Sequence, residues 1–279
     1  MDGAALAARI RSELKEEIAA HGEMGLATVL VGDDPASQVY IRLKHKAADE
    51  VGIRAIDRRL PAETTEQELV EVVEELNEED SVDGILVQTP LPPQIDEARV
   101  MRTIDPMKDV DGLHPFNAGQ LFFGRQTLVG ATPIGIMRLL DENRIPVAGA
   151  RAVVIGRSLI VGRPVAMLLL HANATVTICH SRTEDLPRHT LDADILVVAV
   201  GQLGLVTADM VKQGAAVIDV GMNRTETGLY GDVDAAVADV AGFLTPVPGG
   251  VGPMTIACLL ENALRAARYR RGALAFPRI

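Results

Sequence analysis

The stretch Gly156-Arg157-Ser158-Leu159-Ile160-Val161-Gly162-Arg163-Pro164 decides the fold of this chain. An apolar run at 152–155 precedes it, and an apolar segment with helical periodicity follows it over 165–171. This order of strand, glycine turn and helix start directs backbone N–H groups and the positive end of a helix dipole at a bound phosphate. The spacing is not G-x-G-x-x-G, so the stretch is interpreted as a variant nucleotide-binding loop. A glycine-rich connection without a ligand is the alternative.

Strands and helices alternate along the whole chain. The predicted strands are 26–31, 53–60, 84–87, 152–155, 175–179, 195–200 and 216–220. Strands that alternate with helices form a parallel sheet covered on both faces. The sequence therefore predicts an α/β protein with two domains. The first is a three-layer α/β domain over 1–132, completed by a C-terminal helix over 254–279, and the second is a Rossmann-like, doubly wound dinucleotide-binding domain over 133–253.

Local signals give further expectations about helices and loops. Thr64 and Gln67 match a capping box for an acidic helix that ends near Asn77. A helix is predicted over 95–104. The glycine- and proline-rich stretch 105–130 is predicted to be irregular, and long ordered loops usually carry function.

The composition is that of a folded protein with an acidic surface. Of 279 residues, 48% are hydrophobic and 23% are charged, and the formal net charge is −11. This charge disfavours nucleic acid and anionic membranes as partners, because both bind basic surfaces. The two cysteines, Cys179 and Cys258, have no neighbouring partner, so we expect neither a disulfide nor a metal site. No stretch has the pattern of a signal peptide or of a membrane span, and we expect a cytoplasmic protein.

The end of the second strand in the dinucleotide domain indicates which dinucleotide binds. A strand that binds NAD normally ends in Asp or Glu, which bonds the ribose 2′-hydroxyl. Here the strand ends in Cys179-His180-Ser181-Arg182, and Arg157 in the glycine loop can converge on the same point. Two guanidinium groups and a serine suit a 2′-phosphate, which favours NADP. The alternative is a solvated Arg182 that pairs with Glu184 or Asp185.

Polar residues of the first domain are candidates for chemistry. Tyr40 and Lys44 are four residues apart on one predicted helix, so both project from the same face, where burial would lower the pKa of Lys44. Gln88 follows the third strand, at the edge of the sheet where ligands of α/β proteins bind. Asp111 lies in a rigid loop, from which a carboxylate can bond the N–H edge of a heterocycle. A solvated Lys44 and an Asx turn in the aspartate loop are the alternatives.

Five motifs in a fixed order give the chain a family resemblance. They are Val31-Gly-Asp-Asp-Pro-Ala-Ser37 with Tyr40-x-x-x-Lys44, Asp83-Gly-Ile-Leu-Val-Gln88, Pro106-x-Lys-Asp-Val-Asp-Gly112, Gly156-Arg-Ser-x-x-Val-Gly162, and the run 246–255. The chain resembles the bifunctional methylenetetrahydrofolate dehydrogenase/methenyltetrahydrofolate cyclohydrolase family over nearly its whole length. The resemblance implies oxidation of 5,10-methylenetetrahydrofolate with NADP and hydrolysis of the product to 10-formyltetrahydrofolate. It also implies a homodimer that serves one-carbon metabolism and purine biosynthesis.

The resemblance implies a role for each candidate residue. Lys44 would be the acid/base group of the cyclohydrolase step, Gln88 would bond it, and Tyr40 would act beside them by stacking on the folate. Asp111 and Pro253 would bind the substrate. The residues implied to hold NADP are Gly156, Arg157, Ser158, Gly162, Ser181 and Arg182.

Three other functions remain open from the sequence. A nucleotide-binding regulator would need the loop at Gly156, but it has no use for Lys44, Gln88 and Asp111 together. Another two-domain NADP dehydrogenase, of the shikimate type, leaves the aspartate loop unexplained. A monofunctional methylenetetrahydrofolate dehydrogenase is the closest rival, and the retention of Lys44 favours the bifunctional enzyme.

Overall fold

The computed structural model describes residues 1–277, apart from the side chain of Ala36. The predicted C-terminal span 254–279 thus includes two residues, 278 and 279, that lie outside the described part. The chain divides into two compact units. The five-stranded unit comprises Met1–Ala8 and Thr132–Thr255, and the three-stranded unit comprises Arg9–Ala131 and the segment from Ile256 onward. A parallel sheet in each unit confirms the predicted two-domain α/β class.

Helices and strands alternate as the sequence predicts. The helices are α1 (Gly3–His21), α2 (Pro35–Val51), α3 (Glu66–Glu78), α4 (Glu97–Thr103), α5 (Pro115–Phe122), α6 (Ala131–Glu142), α7 (Gly162–His171), α8 (Leu186–Thr190) and α9 (Val251–Arg270). The strands are β1 (Met24–Val31), β2 (Ile53–Leu60), β3 (Gly84–Val87), β4 (Arg151–Ile155), β5 (Thr175–Cys179), β6 (Ile195–Val198), β7 (Ala216–Asp219), β8 (Asn223–Thr225), β9 (Gly228–Tyr230) and β10 (Phe243–Leu244). Within residues 1–277, no helix is both long enough and apolar enough to cross a membrane.

The three-stranded unit has the parallel sheet order β2-β1-β3. Val29 of the central strand packs in one core with Leu69 of α3 and Val100 of α4. The preceding residue, Thr28, points to the other face and bonds the ring of His45 of α2 over 2.6 Å. Because neighbouring side chains of a strand point to opposite faces, α2 lies on one side of the sheet and α3 and α4 lie on the other. These are the three layers that the sequence predicts.

The five-stranded unit has the sheet order β10-β7-β6-β4-β5, and all of these strands are parallel. The first strand of this unit, β4, lies beside the second, β5, and the later strands β6, β7 and β10 follow on the opposite side of β4. The sheet is therefore doubly wound, and its switch point lies between β4 and β6. Ligands of such sheets bind outside the carboxyl ends of the strands at the switch point. The loops that follow β4 and β6 flank this position.

The capping box of α3 was predicted one residue too early. Thr65, rather than Thr64, caps the helix, and its side chain accepts a hydrogen bond from the N–H of Glu68. The Glu68 carboxylate accepts one from the N–H of Thr65 over 2.8 Å. A carboxylate is a stronger acceptor than the amide of Gln67, so the pattern that ends in glutamate prevails.

Three further boundaries differ from the prediction. The stretch 105–130 is not irregular throughout, because α5 begins at Pro115 and the His114 ring caps it by accepting from Phe116 N over 3.0 Å. The helix predicted over 95–104 spans only α4, because Asp96 caps it one residue before its start. The last helix, α9, begins at Val251 rather than at residue 254.

Candidate active site

Lys44 lies on α2 with its side chain buried at 8% exposure, so the alternative of a solvated lysine is wrong. Its Nζ atom is 5.8 Å from the centre of the Tyr40 ring, as expected for residues four apart on one helix face. Burial lowers the pKa of Lys44, and the negative charge of Asp111 partly opposes this shift. The neutral amine is therefore populated at a lower pH than in an ordinary lysine.

Gln88 follows β3 and is hydrogen-bonded to Lys44. The Nζ atom of Lys44 donates to Gln88 Oε1 over 3.1 Å, and Gln88 Nε2 donates to the carbonyl of Thr89 over 2.8 Å. The second bond fixes which end of the amide faces the lysine. Gln88 N also donates to Val29 O over 2.8 Å, which holds the backbone beside β1. The structure thus brings Tyr40, Lys44 and Gln88 together.

Asp111 lies in a loop that its neighbour Asp109 organises. Asp109 is buried, and its carboxylate accepts hydrogen bonds from the backbone of Leu113 and His114 and from Asn117 Nδ2, at 3.2, 2.8 and 2.9 Å. Asp109 thus forms the turn that the sequence offered as an alternative. Asp111 is only half-buried, and within residues 1–277 no other residue donates a hydrogen bond to its carboxylate. That carboxylate is available to a ligand.

Lys44 and Asp111 influence each other's charge. Burial raises the pKa of Asp111, the charge of Lys44 lowers it, and the neighbouring Asp109 raises it further. The same attraction limits the fall in the pKa of Lys44. An opposite charge nearby favours the ionised form of each group, whereas burial favours the neutral form.

Two polar side chains that the sequence analysis missed support this loop. Lys108 is 1% exposed, and its Nζ atom donates to three carbonyls at the end of α3. These belong to Leu76, Asn77 and Glu79, at 2.9, 2.6 and 3.1 Å. Asn262 of α9 donates through Nδ2 to Val110 O and to Val129 O, both over 2.7 Å. The distance in sequence between these partners left no local pattern by which to find them.

The glycine loop follows β4 as predicted. Gly156 has φ +119°, and a Cβ atom built there would lie 2.3 Å from Ala199 O. A Cβ at Gly162 would lie 2.3 Å from Gly156 O. Only glycine fits either position, so the loop keeps a bare backbone at the start of α7. Ser158 Oγ accepts from Val161 N and Gly162 N over 3.1 and 3.3 Å, which ties the loop to the helix.

The side chains predicted for the 2′-phosphate lie after two neighbouring parallel strands. Arg157 follows β4, whereas Ser181 and Arg182 follow β5, and all three are exposed. Within the described residues, Arg182 forms no ion pair with Glu184 or Asp185, in contrast to the alternative given from the sequence. The guanidinium groups are accessible to an anion.

Pro253 lies in the first turn of α9, in the five-stranded unit, and is half-buried. The proline run before this helix contains a cis peptide bond between Val247 and Pro248. Among residues 1–277, no group of three or more His, Cys, Asp or Glu side chains is arranged to hold a metal ion.

A doubly wound sheet with a glycine loop, in a chain whose second α/β unit buries an amine, is typical of a dinucleotide-dependent enzyme. Residues 1–111 match the family model of the tetrahydrofolate dehydrogenase/cyclohydrolase catalytic domain, and residues 130–271 match that of its NAD(P)-binding domain. The chain belongs to the tetrahydrofolate dehydrogenase/cyclohydrolase family. The resemblance seen in the sequence is confirmed, and the regulator and the shikimate-type dehydrogenase are excluded.

Individual relatives match over nearly the full length. A bifunctional protein FolD from Methanospirillum hungatei is 55% identical over 274 residues, which cover 98% of this chain and 98% of the relative. The crystal structure of FolD from Campylobacter jejuni is 48% identical, covers 96% of this chain and 98% of that chain, and has a TM-score of 0.94. The structure of FolD from Trypanosoma brucei, complexed with NADP cofactor and inhibitor, is 42% identical and has a TM-score of 0.93. The match covers 99% of this chain and 98% of that chain.

Proposed function

We propose that this enzyme catalyses two consecutive reactions of one-carbon folate metabolism. It oxidises 5,10-methylenetetrahydrofolate to 5,10-methenyltetrahydrofolate with NADP, and it hydrolyses the methenyl product to 10-formyltetrahydrofolate. The matches to both family domains support the two activities, and the NADP complex of the Trypanosoma brucei relative supports the cofactor. The observation that carries the second activity is the buried Lys44 amine bonded to Gln88, because hydride transfer needs no protein amine.

The five-stranded unit has the residues to hold NADP. The bare backbone at Gly156 and Gly162 forms a cradle that a Cβ atom would fill, and Ser158 shapes its entrance, so a pyrophosphate fits at the start of α7. The residues proposed for the 2′-phosphate are Arg157, Ser181 and Arg182, which offer charge-assisted hydrogen bonds. When bound, NADP supplies the acceptor for the hydride.

The three-stranded unit has residues suited to the folate. The Asp111 carboxylate accepts hydrogen bonds from the N–H edge of the pterin, since an ionised acid acts only as an acceptor. Tyr40 stacks on the aromatic part of the substrate. These contacts orient the one-carbon unit, and orientation is the protein's main contribution to the oxidation step.

Lys44 manages the proton in the hydrolysis step. A water molecule attacks the methenyl carbon, and the neutral Nζ atom takes the proton that this water loses. The lowered pKa of Lys44 makes the neutral amine available for this role. Gln88 Oε1 accepts a hydrogen bond from Nζ and keeps the amine in position. The ammonium then returns this proton to the ring nitrogen as the bond between that nitrogen and the carbon breaks. The remaining hydroxyl proton passes to solvent as the formyl C=O forms.

The ligand sites divide the chain into two functional domains. We infer that residues 1–132, completed by 254–279, carry the folate site and that residues 133–253 carry the NADP site. The compact units and the ranges of the two family models support this division without sharing its boundaries. The 10-formyl product supplies one-carbon units for purine biosynthesis in the cytoplasm.

A homodimer is the proposed assembly. Ile178 on the edge strand β5 and Leu170 on α7 are 41% and 50% exposed, and an uncovered edge strand with apolar neighbours favours pairing. Light scattering of the purified protein should give twice the chain mass of 29.8 kDa. The net charge of −11 supports the absence of nucleic-acid partners.

A spectrophotometric assay tests the two activities separately. The enzyme is mixed with 5,10-methylenetetrahydrofolate and either NADP or NAD, and the reduced nicotinamide is followed. In a second assay without dinucleotide, the loss of 5,10-methenyltetrahydrofolate is followed against the uncatalysed rate. We expect a higher kcat/KM with NADP than with NAD, and catalysed hydrolysis. Oxidation without hydrolysis would indicate the monofunctional enzyme.

A further inference from the structure

Two buried carboxylates of the five-stranded unit have no part in the function described so far. Asp219, at the end of β7, is 4% exposed, and Asp232, shortly after β9, is 0% exposed. Within residues 1–277, neither forms an ion pair with a lysine or arginine. A buried carboxylate is costly unless hydrogen bonds stabilise it. The donors of these bonds therefore indicate what the two residues hold in place.

Asp232 binds the turn that follows β6. Its Oδ2 atom accepts from Val200 N and Gly201 N over 2.8 and 2.9 Å, and its Oδ1 atom accepts from Asn223 Nδ2 over 2.9 Å. Both oxygens of the carboxylate therefore face hydrogen-bond donors.

The turn held by Asp232 lies directly against the glycine loop. Ala199 N donates to Ile155 O, at the end of β4, over 2.9 Å. A Cβ atom at Gly156 would meet Ala199 O at 2.3 Å and Val200 Cγ1 at 3.4 Å. The turn and the glycine loop follow β6 and β4, the two strands at the switch point, so both border the place where a dinucleotide binds.

Asp232 is itself held in position by Asp219. The Asp219 Oδ1 atom accepts from Asp232 N and Gly221 N over 2.9 and 3.0 Å, and the backbone N–H of Asp219 donates to Thr245 Oγ1 over 2.8 Å. A Cβ at Gly231 would lie 1.7 Å from Asp219 Oδ2. The backbone at Gly231 therefore lies so close to the Asp219 carboxylate that only glycine fits there. The hydrogen bonds run without interruption from β7 through Asp232 to the turn.

We propose that Asp232 is a positioning residue of the dinucleotide site, whose buried carboxylate holds the Val200–Gly201 turn against Gly156 as one wall of that site. This inference rests on the proposed binding of NADP at the glycine loop. Asp232 acts through the turn and touches neither reactant. An asparagine at this position would place its NH2 group against donors, either those of the turn or Asn223 Nδ2, so the support of the turn would weaken.

The test compares Asp232→Asn with the matched control Asp234→Asn. Asp234 is exposed and caps a 3₁₀ helix by accepting from Ala236 N over 2.8 Å, a role that asparagine fills equally well. We expect Asp232→Asn to raise the KM for NADP about tenfold or more, since a small displacement of a binding wall has large effects. Hydrolysis of methenyltetrahydrofolate without dinucleotide should stay within about twofold of wild type in both variants.

The outcomes separate positioning from a merely structural role. An unchanged KM for NADP in folded Asp232→Asn would overturn the proposal, as would equal losses of both activities together with a lower melting temperature. If Asp232→Asn does not fold, Asn223→Ala removes the hydrogen bonds to Asp232 Oδ1 and to the neighbouring Gly231 O, and it should raise the KM for NADP about threefold with hydrolysis retained. No rise would again overturn it. Absence of both activities in the wild type would instead contradict the proposed function.

Discussion

Lys44 Nζ donates a hydrogen bond to Gln88 Oε1 over 3.1 Å, and the two residues come from different elements of one unit. The helix α2 supplies the amine, and the carboxyl end of β3 supplies the amide. Gln88 Nε2 donates to Thr89 O, so the amide cannot turn its NH2 group to the lysine without losing that bond. The pair therefore offers one amine in a fixed position, with a pKa that burial lowers.

Substitution of Lys44 by methionine should abolish the hydrolytic activity. The variant removes the amine from a buried site, and we expect kcat for methenyltetrahydrofolate hydrolysis to fall about 1,000-fold, within the usual contribution of a positioned acid/base group. The exposed Lys46 lies on the same helix, with its Nζ atom 4.0 Å from Glu50 Oε1. It provides the control Lys46→Met, which should hydrolyse methenyltetrahydrofolate at the wild-type rate. Hydrolysis at the wild-type rate in Lys44→Met would remove Lys44 from its proposed role.

Substitution of Gln88 by glutamate should shift the pH dependence of hydrolysis upward. A carboxylate beside Nζ favours the ammonium form and raises the pKa of Lys44, opposite to the effect of burial. Because only the neutral amine can take the proton from water, hydrolysis then requires a higher pH to reach the same fraction of neutral Lys44. We expect the midpoint of the kcat/KM profile to rise by about one pH unit or more, measured after subtraction of uncatalysed hydrolysis.

The exposed Gln126, in the same unit, provides the control for that shift. Gln126→Glu adds the same charge at an exposed position, where solvent and salt screen it, so its profile should match that of the wild type. A profile for Gln88→Glu that stays in place, or that moves to lower pH, would show that Lys44 does not act as the neutral base.

The sheets could be predicted because their signals are local. The strands 84–87 and 175–179 are short apolar or β-branched runs, and the structure has the same bounds. The cap of α3 was misplaced because Thr64 and Thr65 both begin a matching pattern and only the structure decides between them. The helix α5 was missed because its surroundings are rich in glycine and proline, although Pro115 at its first position is itself a start signal.

For the site, the sequence predicts which residues are candidates, but it does not predict their surroundings. The sequence identifies Lys44 and Gln88 as candidates, but the burial that shifts the pKa of Lys44 depends on the packing of α2 against the sheet. The turn at Val200 is separated from Asp232 by 32 positions, so no periodicity or spacing rule links them. Supporting acids of this kind come from tertiary structure, and no local motif identifies them.

Removal of both predicted 2′-phosphate contacts should change cofactor selection. Loss of a hydrogen bond to a charged group costs about 1.5–3 kcal/mol, or roughly tenfold or more in affinity. We therefore expect Arg157→Ala with Arg182→Ala to raise the KM for NADP about 100-fold and to leave the KM for NAD within about twofold. The exposed Arg188 of α8 gives the control Arg188→Ala. An equal rise of the KM for both cofactors would show that neither guanidinium contacts the 2′-phosphate.

Lys108 should contribute to stability rather than to chemistry, because its Nζ atom satisfies three carbonyls at the end of α3. Lys108→Met leaves these acceptors without their donor in a buried site, and each unsatisfied group costs about 1–3 kcal/mol. We expect the free energy of unfolding in urea to fall by about 3 kcal/mol. The exposed Lys15 of α1 gives the control Lys15→Met, with a change within about 0.5 kcal/mol. Hydrolysis per folded molecule should remain close to wild type in both variants. Equal stability of the two variants would mean that the buried ammonium does not support the end of α3.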